Sequence, residues 1–367
     1  MTRKMTEGGN GMKVGVLTGG GDCPGLNAVI RAVTKSLILE SGTQVLGIEQ
    51  GFLGLIEHRV RPLDLAAVSG LVNAGGTILG THNRADPFAY FGAGGADVSD
   101  AAVANVRALG LDALVVIGGD GSMDIAHRLS LKGVPIVGCP KTIDNDIAHT
   151  DRSFGFDTAV AIVTEALDRL QTTGQSHGRV MILETMGRYA GWIALEAGLA
   201  SGADLILIPE LPYRLDEVAR VCRERESRQR FTVIAMAEGS RPEGGELTVH
   251  ARVEGAPDPI RLGGVGNLLR EQLQPLLDSE VRTTVLGHVQ RGGAPTAYDR
   301  VLATRCGHAA ADLIAQRRFN RMVVLRGTEM DSVPLADVAG RNRRVAVDHP
   351  LVLAARAIGV SLGTPQA

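Results

Sequence analysis

The sequence predicts an α/β fold whose sheets are of the parallel type and are covered by helices. Short apolar segments alternate with amphipathic ones along most of the chain, and several of them are apolar throughout. Strands with this composition occur in parallel sheets that are buried on both faces. Hydrophobic residues make up 44% of the chain and aromatic residues only 3%, so we expect a core of Val, Ile, Leu and Ala.

Eight apolar segments are predicted to be strands, with amphipathic helices between them. After the first strand, apolar residues recur at helical spacing from Leu26 to Ile38, and a second such stripe runs from Val160 to Leu170. The stretch Arg241–Ile260 is rich in Pro, Gly and charge and is expected to be a surface excursion. The predicted strands are Val14–Leu17, Ala113–Ile117, Pro135–Cys139, Val180–Leu183, Leu205–Ile208, Phe231–Ala237, Thr283–Leu286 and Met322–Leu325.

Length and charge limit the classes of function. A chain of 367 residues suggests two or three domains or two large lobes. The net charge of −2 argues against a dedicated nucleic-acid or membrane-surface binder, because both need a basic excess. The first residues have no signal-peptide pattern, residues 1–12 are expected to be disordered, and no apolar run has the roughly 20 residues of a membrane span.

The cysteine pattern indicates a reducing compartment. The four cysteines have no CxxC spacing and no disulfide-framework density, so we interpret them as thiols of a cytoplasmic protein. They are Cys23, Cys139, Cys222 and Cys306.

Two glycine-rich turns follow predicted strands in the first half. Gly19-Gly20-Gly21 lies between a strand and a helix, where backbone N–H groups can converge on an anion. An ordinary strand-to-helix turn explains this motif about equally well. The second turn, Gly118–Ser122, adds Asp120, which could bind Mg²⁺ together with phosphate oxygens or could simply cap a helix.

The segment Thr142-Ile143-Asp144-Asn145-Asp146 is the most specific motif. Of two aspartates two residues apart, one can accept a proton from a substrate hydroxyl while the other orients it. Thr142 can donate to a phosphate. The alternative is a structural Asx-rich turn, which is weakened because three such turns end strands that we expect at one edge of one sheet.

The second half supplies cations at strand ends. Arginine binds phosphate through two parallel N–H groups, although a single arginine is usually a solvated surface charge. Glu238 could accept hydrogen bonds from sugar hydroxyls, whereas His288 is equally consistent with a buried structural histidine. The cations are Arg179, Arg188, Arg282 and Arg291. Together with the first half, they indicate phosphoryl transfer onto an anionic, hydroxylated substrate.

These motifs resemble the phosphofructokinase family. Thr-Ile-Asp-Asn-Asp, Met-Gly-Arg and Gly-His-Val-Gln-Arg-Gly-Gly occur in the family's order, and the resemblance runs from Lys13 to about Leu325. It implies a cytoplasmic glycolytic 6-phosphofructokinase that moves a phosphoryl group from Mg²⁺-ATP to the 1-hydroxyl of fructose 6-phosphate. The family fold implied is two α/β lobes with the active site in the cleft between them.

The resemblance also implies a role for individual residues. Asp144 looks like the catalytic base, assisted by Thr142 and Asp146, and Arg188 looks like the cation that stabilises the transferred group. Asp120 looks like the residue that binds Mg²⁺. The donor site would comprise Gly20, Arg84, Asp120, Gly121, Ser122 and Lys141, and the fructose 6-phosphate site Arg179, Met186, Gly187, Glu238, Arg282, His288 and Arg291.

The same resemblance implies a division into domains and an oligomer. Residues 13–155 and 290–325 would form the nucleotide domain, residues 156–289 the fructose 6-phosphate domain, and residues 326–367 a C-terminal extension of unassigned role. Arg179 and Arg282 match positions that serve a neighbouring subunit's site in homotetrameric members, so a homo-oligomer, dimer or tetramer, is expected.

The identity of the phosphoryl donor depends on two positions. Gly121 leaves room for the α-phosphate of ATP, where pyrophosphate-using relatives typically carry Asp. Lys141 points to pyrophosphate, because many ATP users have Gly there, but the pair of Gly121 and Lys141 also occurs among relatives thought to use ATP. We expect ATP. The donor-phosphate arginine of well-known bacterial members falls at Asn83, so Arg84 would have to replace it through a shifted loop.

Other functions are also compatible with some of the motifs. A pyrophosphate-dependent or mixed-donor phosphofructokinase is the main alternative, and a phosphosugar-binding sensor without turnover is the non-enzyme alternative. A NAD or lipid kinase would use the Gly-Gly-Asp-Gly turn but leaves Met186–Arg188 and Gly287–Gly293 unexplained. A Rossmann oxidoreductase is disfavoured because Gly19–Gly21 lacks the GxGxxG spacing.

Overall fold

The computed structural model describes residues 11–252 and 260–365. The expected disorder of residues 1–12 therefore falls largely on positions 1–10, which lie outside the described residues. The chain forms two compact units. Unit 1 comprises residues 11–141, 149–151 and 300–341, and unit 2 comprises residues 142–148, 152–299 and 342–365 within the described ranges.

The elements of unit 1 alternate between strands and helices. In chain order, its first nine elements are β1 (Lys13–Thr18), α1 (Leu26–Ser41), β2 (Gln44–Ile48), α2 (Phe52–Ile56), β3 (Val60–Leu63), α3 (Ser99–Ala108), β4 (Ala113–Gly118), α4 (Asp120–Leu131) and β5 (Ile136–Pro140). Short 3₁₀ helices occupy Leu71–Asn73 and Phe91–Ala93.

Unit 2 follows with the same alternation, and the chain then returns to unit 1. The elements of unit 2 are α5 (Phe156–His177), β6 (Val180–Thr185), α6 (Trp192–Ser201), β7 (Leu205–Leu207), α7 (Leu215–Glu226), β8 (Thr232–Ala237), β9 (Val249–Arg252), β10 (Ile260–Leu262), α8 (Val265–Leu273) and β11 (Val281–Val285), with 3₁₀ helices at Gln274–Leu276 and Gly287–Arg291. The last elements are α9 (Ala297–Ala315), β12 (Arg321–Arg326), β13 (Glu329–Pro334) and α10 (Leu335–Val338), followed by α11 (Pro350–Ala357) in unit 2.

The sheet of unit 1 has seven strands in the order β13-β12-β5-β4-β1-β2-β3. Its five inner strands are parallel, as the sequence predicts, but both edge strands, β13 and β3, run antiparallel to their neighbours. The connection from β12 to β13 is only two residues long, which suffices for a hairpin but not for a parallel crossover. β1, β4 and β5 are adjacent, so the turns that follow them emerge at one edge of the sheet.

The sheet of unit 2 has four parallel strands in the order β11-β6-β8-β7. Side chains of successive strand residues point to opposite faces. Ile182 and Ile234 belong to a buried cluster with residues of α7 and α8, which therefore cover one face. A Cβ at Gly198 of α6 would lie 3.2 Å from Ala235 Cβ, so α6 packs closely on the other face.

A buried carboxylate joins the two ends of the long central segment of unit 2, residues 152–299. Asp299, in the first turn of α9, is fully buried and accepts hydrogen bonds from the Thr158 N–H (2.8 Å) and the Thr158 hydroxyl (2.6 Å) in the first turn of α5. The Thr296 hydroxyl donates to Asp157 Oδ2 at 2.7 Å. These bonds join two positions that are about 140 residues apart in the chain.

All eight predicted strands are present, with ends shifted by one or two residues. Five strands, β2, β3, β9, β10 and β13, were not predicted, because they are short and mixed in composition. The expected surface excursion Arg241–Ile260 contains β9, which pairs antiparallel with β10, and its residues 253–259 lie outside the described residues. No helix in the described ranges combines the length and the apolar character that crossing a bilayer requires.

The bounds of the two units differ from those of the domains given by the resemblance. The chain first leaves unit 1 after Lys141 rather than after residue 155, and the last segment of unit 1 begins at Arg300 rather than at residue 290. Within residues 326–367, β13 pairs with β12 in unit 1, whereas residues 342–365 belong to unit 2. The assignment of a substrate to each domain stays a prediction.

Candidate active site

The glycine-rich turn after β1 packs against the turn after β4. The Gly19 N–H donates to the Ile117 carbonyl at 2.8 Å. A Cβ at Gly19 would lie 2.7 Å from the Ser122 hydroxyl oxygen, and a Cβ at Gly118 would lie 2.3 Å from Ser122 Cβ. Glycine is therefore required at both positions for the turns to close around the buried Ser122.

Lys141 stabilises the glycine-rich turn after β1 through a hydrogen bond from its side chain. This lysine is only 4% exposed, and its ammonium group donates to the carbonyl of Gly21. Its backbone N–H donates to the Gly118 carbonyl at 2.9 Å, at the end of β4. Gly20, with φ +74°, has the left-handed conformation that favours glycine, and a Cβ there would lie 3.5 Å from Lys141 Nζ. A buried positive charge thus lies under a turn whose backbone can bind anions.

The turn after β4 leaves open space in front of helix α4. Asp120 is the first residue of α4 and is partly exposed, with Gly119 as the N-cap. A Cβ added at Gly121 would have no heavy atom within 4 Å. The helix N-terminus carries a partial positive charge, so this space suits a phosphate group.

The segment that carries Arg84 is joined to the first turn. The Thr81 hydroxyl donates to the Gly20 carbonyl at 2.5 Å, and the Thr18 hydroxyl donates to the Gly80 carbonyl at 2.7 Å. Arg84 itself is exposed, and its guanidinium lies 5.2 Å from the centre of the Phe91 ring. The structure therefore places Arg84 in the same loop cluster as the glycine-rich turn.

The Thr142–Asp146 segment of unit 2 forms a loop held by its own side chains. The Asp144 N–H donates to the Thr142 hydroxyl oxygen at 3.0 Å. Ser153 donates from its N–H to Asn145 Oδ1 at 3.1 Å and from its hydroxyl to the Thr142 carbonyl at 2.8 Å. Asp144 is partly exposed and Asp146 is buried, so the two predicted carboxylates have different environments.

A hydrogen bond connects the segments that follow β6 and β8, which carry residues predicted to bind fructose 6-phosphate. The Gly239 N–H donates to the Gly187 carbonyl at 3.1 Å, and a Cβ at Gly239 would lie 2.1 Å from the Arg188 carbonyl oxygen. Gly187 has φ +133°, which few residues other than glycine adopt. These contacts hold Arg188 next to the segment that begins with Glu238.

The turn after β11 contributes His288 and Arg291, both in the 3₁₀ helix Gly287–Arg291. Gln290, which the sequence analysis did not single out, is fully buried and attaches this turn to β6. Its Oε1 accepts from the Met186 N–H at 3.3 Å, and its Nε2 donates to the Gly287 carbonyl at 3.0 Å. His288 is exposed, which disfavours the alternative of a buried structural histidine.

Electrostatics link these residues. The pKa of Glu238 is raised from 4.5 to about 7, chiefly by burial and also by the negative charges of Asp144 and Glu184, whereas Arg188 and Arg291 act in the opposite direction. The predicted base, two predicted cations and Glu238 therefore share one electrostatic environment in unit 2. In this environment Glu238 can donate a hydrogen bond when it is protonated and accept one when it is ionised.

Glu184 is a second residue that the sequence analysis missed. It is 2% exposed in the middle of the sheet, and its carboxylate accepts from the N–H groups of Gly264 (2.9 Å) and Gly266 (2.8 Å). These donors lie at the N-terminus of α8, where a negative charge is stabilised. The available signal was a glutamate within the otherwise apolar strand Val180–Thr185.

Arg179 and Arg282 lie apart from the other predicted acceptor residues. Arg179 precedes β6 and Arg282 is the second residue of β11, so both lie at the amino ends of strands. Both form ion pairs with Glu280, at 2.5 Å from Arg179 Nε. At about 3.3 Å per strand residue, Arg179 lies about 20 Å before the carboxyl end of β6 and Arg282 about 10 Å before the carboxyl end of β11.

The pKa of Glu238 makes the stability of the protein depend on pH. The folded protein keeps a proton on Glu238 that the unfolded chain loses near pH 4.5. The folded state therefore binds more protons between about pH 5 and 7, and the free energy of unfolding should fall as pH rises through this range. We expect Glu238→Gln to flatten this decline in urea unfolding measured from pH 5 to 8. Glu243→Gln, at an exposed position, should show the same decline as the unmutated protein. An unchanged decline in Glu238→Gln would contradict the raised pKa of Glu238.

Comparison with known proteins finds phosphofructokinases over most of the chain. The family model described as Phosphofructokinase matches residues 13–314. The ATP-dependent 6-phosphofructokinase 2 of Clostridium perfringens is 49% identical over 357 residues, 95% of this chain and 98% of that protein. The pyrophosphate–fructose 6-phosphate 1-phosphotransferase of Amycolatopsis methanolica is 48% identical over 334 residues, 91% of this chain and 96% of that protein.

A solved structure agrees with this result. The crystal structure of Pichia pastoris phosphofructokinase in the T-state superposes with a TM-score of 0.77 and 33% identity, covering 92% of this chain and 36% of that one. The family model covers far more than half of the chain, and the relatives match over nearly all of it. The chain therefore belongs to the phosphofructokinase family.

Proposed function

We propose that this protein is a 6-phosphofructokinase that transfers the terminal phosphoryl group of Mg²⁺-ATP to the 1-hydroxyl of fructose 6-phosphate. The observation that carries the proposal is 49% identity, over 95% of the chain, to a protein named as an ATP-dependent 6-phosphofructokinase. The product, fructose 1,6-bisphosphate, belongs to glycolysis, which is consistent with a cytoplasmic enzyme.

Asp144 acts as the general base of the reaction. It accepts the proton of the 1-hydroxyl while the oxygen attacks the phosphorus atom, and the bond to the leaving phosphate breaks. The Thr142 hydroxyl oxygen holds the Asp144 backbone by accepting a hydrogen bond from the Asp144 N–H, and Asp146 is buried in the same loop. Arg188 neutralises the negative charge of the phosphoryl group during transfer. Positioning and charge stabilisation supply most of the rate enhancement in such reactions.

The residues at the carboxyl ends of the unit 2 strands recognise fructose 6-phosphate. Arg291 and His288 offer N–H donors to the 6-phosphate, and Glu238 bonds to sugar hydroxyls. The backbone of Met186 and Gly187 forms the floor of this site. Burial and the negative charge of Asp144 raise the pKa of Glu238, and Arg188 and Arg291 partly offset this rise.

The residues around Asp120 fit a magnesium ion. Mg²⁺ takes oxygen ligands in an octahedral shell, and it is usually bound by one or two carboxylates with phosphates and water. Asp120 offers one carboxylate at the edge of the sheet where the anion-binding turns emerge, next to the open space at Gly121. When bound, the ion would neutralise the donor phosphates and make the terminal phosphorus more electrophilic.

ATP is the donor that the structure favours. The open space beyond Gly121 leaves room for a nucleotide, whereas a carboxylate side chain there would fill it and repel the α-phosphate. The ammonium group of Lys141 donates a hydrogen bond to the Gly21 carbonyl. This structural role in the turn is compatible with ATP as well as with pyrophosphate. Relatives with either donor in their names are about equally similar to this chain, so identity does not decide the donor.

Donor choice is tested by measuring fructose 1,6-bisphosphate formation with Mg²⁺ and either ATP or pyrophosphate. We expect turnover with ATP only. Gly121→Asp should remove at least about 10²-fold of kcat/KM for ATP, because it adds bulk and like charge where the α-phosphate lies. Ala101→Asp, at an exposed position in the first turn of α3, is the control for adding a carboxylate near the start of a helix. Turnover with pyrophosphate alone would overturn the donor assignment.

The role of Asp144 is tested by Asp144→Asn, which keeps the shape of the side chain and removes its basicity. We expect kcat to fall by about 10²–10⁴-fold while calorimetric binding of fructose 6-phosphate stays within about threefold of the original value. Asp168→Asn, on the exposed face of α5, is the control for removing one carboxylate. A variant with full activity would exclude Asp144 as the base, and an unmutated chain that binds the sugar phosphate without turnover would favour the sensor.

We further propose that the active enzyme is a homo-oligomer in which Arg179 and Arg282 serve the fructose 6-phosphate site of a second copy. Arg179 and Arg282 lie about 20 Å and about 10 Å before the carboxyl ends of β6 and β11, and both pair with Glu280 at the amino ends of these strands. β11, which carries Arg282, is an edge strand of its sheet. A second copy at this edge would bring the arginines to a site that lacks them.

Shared sites can be detected by mixing two inactive variants. Asp144→Asn lacks the base and Arg282→Ala lacks the arginine for the neighbour, so a mixed dimer contains one complete site. We expect the two variants, unfolded and refolded together, to recover up to about a quarter of the unmutated activity, whereas each variant refolded alone stays inactive. No recovery in a mixture that size-exclusion chromatography shows to be oligomeric would refute the shared site.

A further inference from the structure

A segment near the C-terminus lies along the Thr142–Ala148 loop. Asn342 forms an isolated antiparallel bridge with Ile147. The next residue, Arg343, donates its backbone N–H to the Asp146 carbonyl at 2.6 Å. Its guanidinium donates from Nε (3.2 Å) and Nη2 (3.1 Å) to the Asn145 carbonyl. One residue therefore holds two consecutive carbonyls of the loop that carries Asp144.

Arg343 is itself held in place by unit 2. Its guanidinium lies 4.5 Å from the centre of the Trp192 ring, and Trp192 Nε1 donates to the Arg343 carbonyl at 3.3 Å. Two residues further on, the Val345 N–H donates to Glu210 Oε1 at 2.8 Å. Glu210 also accepts from the Gly191 N–H at 3.1 Å, next to Trp192 at the start of α6. A cation on an aromatic face is a stable arrangement, so the contact with Trp192 fixes the orientation of the Arg343 side chain.

The backbone of the loop needs such support. Asn145 has φ +53°, a left-handed conformation that is costly for residues other than glycine. Its side chain is fixed by the Ser153 N–H, and its carbonyl is fixed by Arg343. The orientation of the peptide between Asn145 and Asp146 determines the directions in which the flanking Asp144 and Asp146 side chains point. Hydrogen bonds from a charged donor are about twice as strong as neutral ones, which makes Arg343 the dominant tether of this peptide.

We propose that Arg343 is a positioning residue for phosphoryl transfer, which keeps the Asp144–Asp146 loop in its catalytic geometry through the backbone. The proposal rests on the proposed function, because it assigns the role of base to Asp144. Arg343 contacts the carbonyls of Asn145 and Asp146, which belong to the backbone of the loop. The residues assigned to the sugar phosphate lie at strand ends that are held by other contacts, such as the bond from Gly239 to Gly187. Loss of Arg343 should therefore affect kcat much more than KM.

The test compares Arg343→Ala and Arg343→Lys with Arg344→Ala, which removes the same charge from the exposed neighbouring residue. A displacement of about 1 Å at a catalytic group costs on the order of 10²-fold, so we expect Arg343→Ala to lower kcat by about 10–100-fold with KM for fructose 6-phosphate within about threefold. Arg343→Lys, which keeps a cation over Trp192 and loses the forked contact, should be intermediate and is the variant to use if Arg343→Ala folds poorly.

Two further measurements separate positioning from general destabilisation. Millimolar guanidinium should restore part of kcat in Arg343→Ala, whereas the same concentration of sodium chloride should not, because only guanidinium can occupy the vacated place. Hydrogen–deuterium exchange of the peptide covering residues 142–148 should be about tenfold faster in Arg343→Ala than in Arg344→Ala, while exchange in β6 and β8 stays unchanged.

Each outcome decides the proposal. A kcat in Arg343→Ala within twofold of that in Arg344→Ala, a loss confined to KM, or unchanged exchange in the loop overturns it. Absence of fructose 1,6-bisphosphate formation by the unmutated chain with both donors is a failure of the proposed function instead. In that case the exchange comparison still shows whether Arg343 holds the loop.

Discussion

Parallel strands all present their carboxyl ends at the same edge of a sheet, and the placement of most candidate residues in this protein depends on that constraint. In unit 1, adjacency of β1, β4 and β5 brings together the glycine-rich turn, the Asp120 turn and Lys141. In unit 2, the ends of β6, β8 and β11 bring together Arg188, Glu238 and His288. Without this common direction, no spacing along the chain would make these residues neighbours.

Close backbone contact converts this shared edge into a defined geometry. Ser122 fits between two strand-end turns only because positions 19 and 118 lack side chains, and Gly239 allows the segment after β8 to contact the Arg188 carbonyl. The same closeness has an electrostatic consequence. Burial of Glu238 beside the carboxylates of Asp144 and Glu184 raises its pKa to about 7, so Glu238 is protonated below neutral pH, while Arg188 and Arg291 act against this rise.

The fold and the residues at strand ends could be predicted because their signals are local. An apolar run marks a buried strand, and a glycine or a charge directly after it marks the binding edge. The edge strands β3 and β13 were missed because they are short and mixed in composition, so no apolar run marks them. Arg343 could not be found from the sequence, because its contact with Asn145 joins residues 198 positions apart. Gln290 and Glu184 were missed for a similar reason, since their partners are backbone groups of other elements.

The bond between Asp299 and Thr158 bears on how the chain reaches this topology. β12 must pair with β5 across a long intervening segment, most of which belongs to unit 2. Once unit 2 has formed, that bond holds the two ends of its central segment together. The free loop that the β5–β12 pairing must close then shortens from roughly 180 residues to roughly 40, which lowers the entropic cost of loop closure by about 1 kcal/mol. One buried carboxylate thus lets a discontinuous domain assemble at nearly the entropic cost of a continuous one.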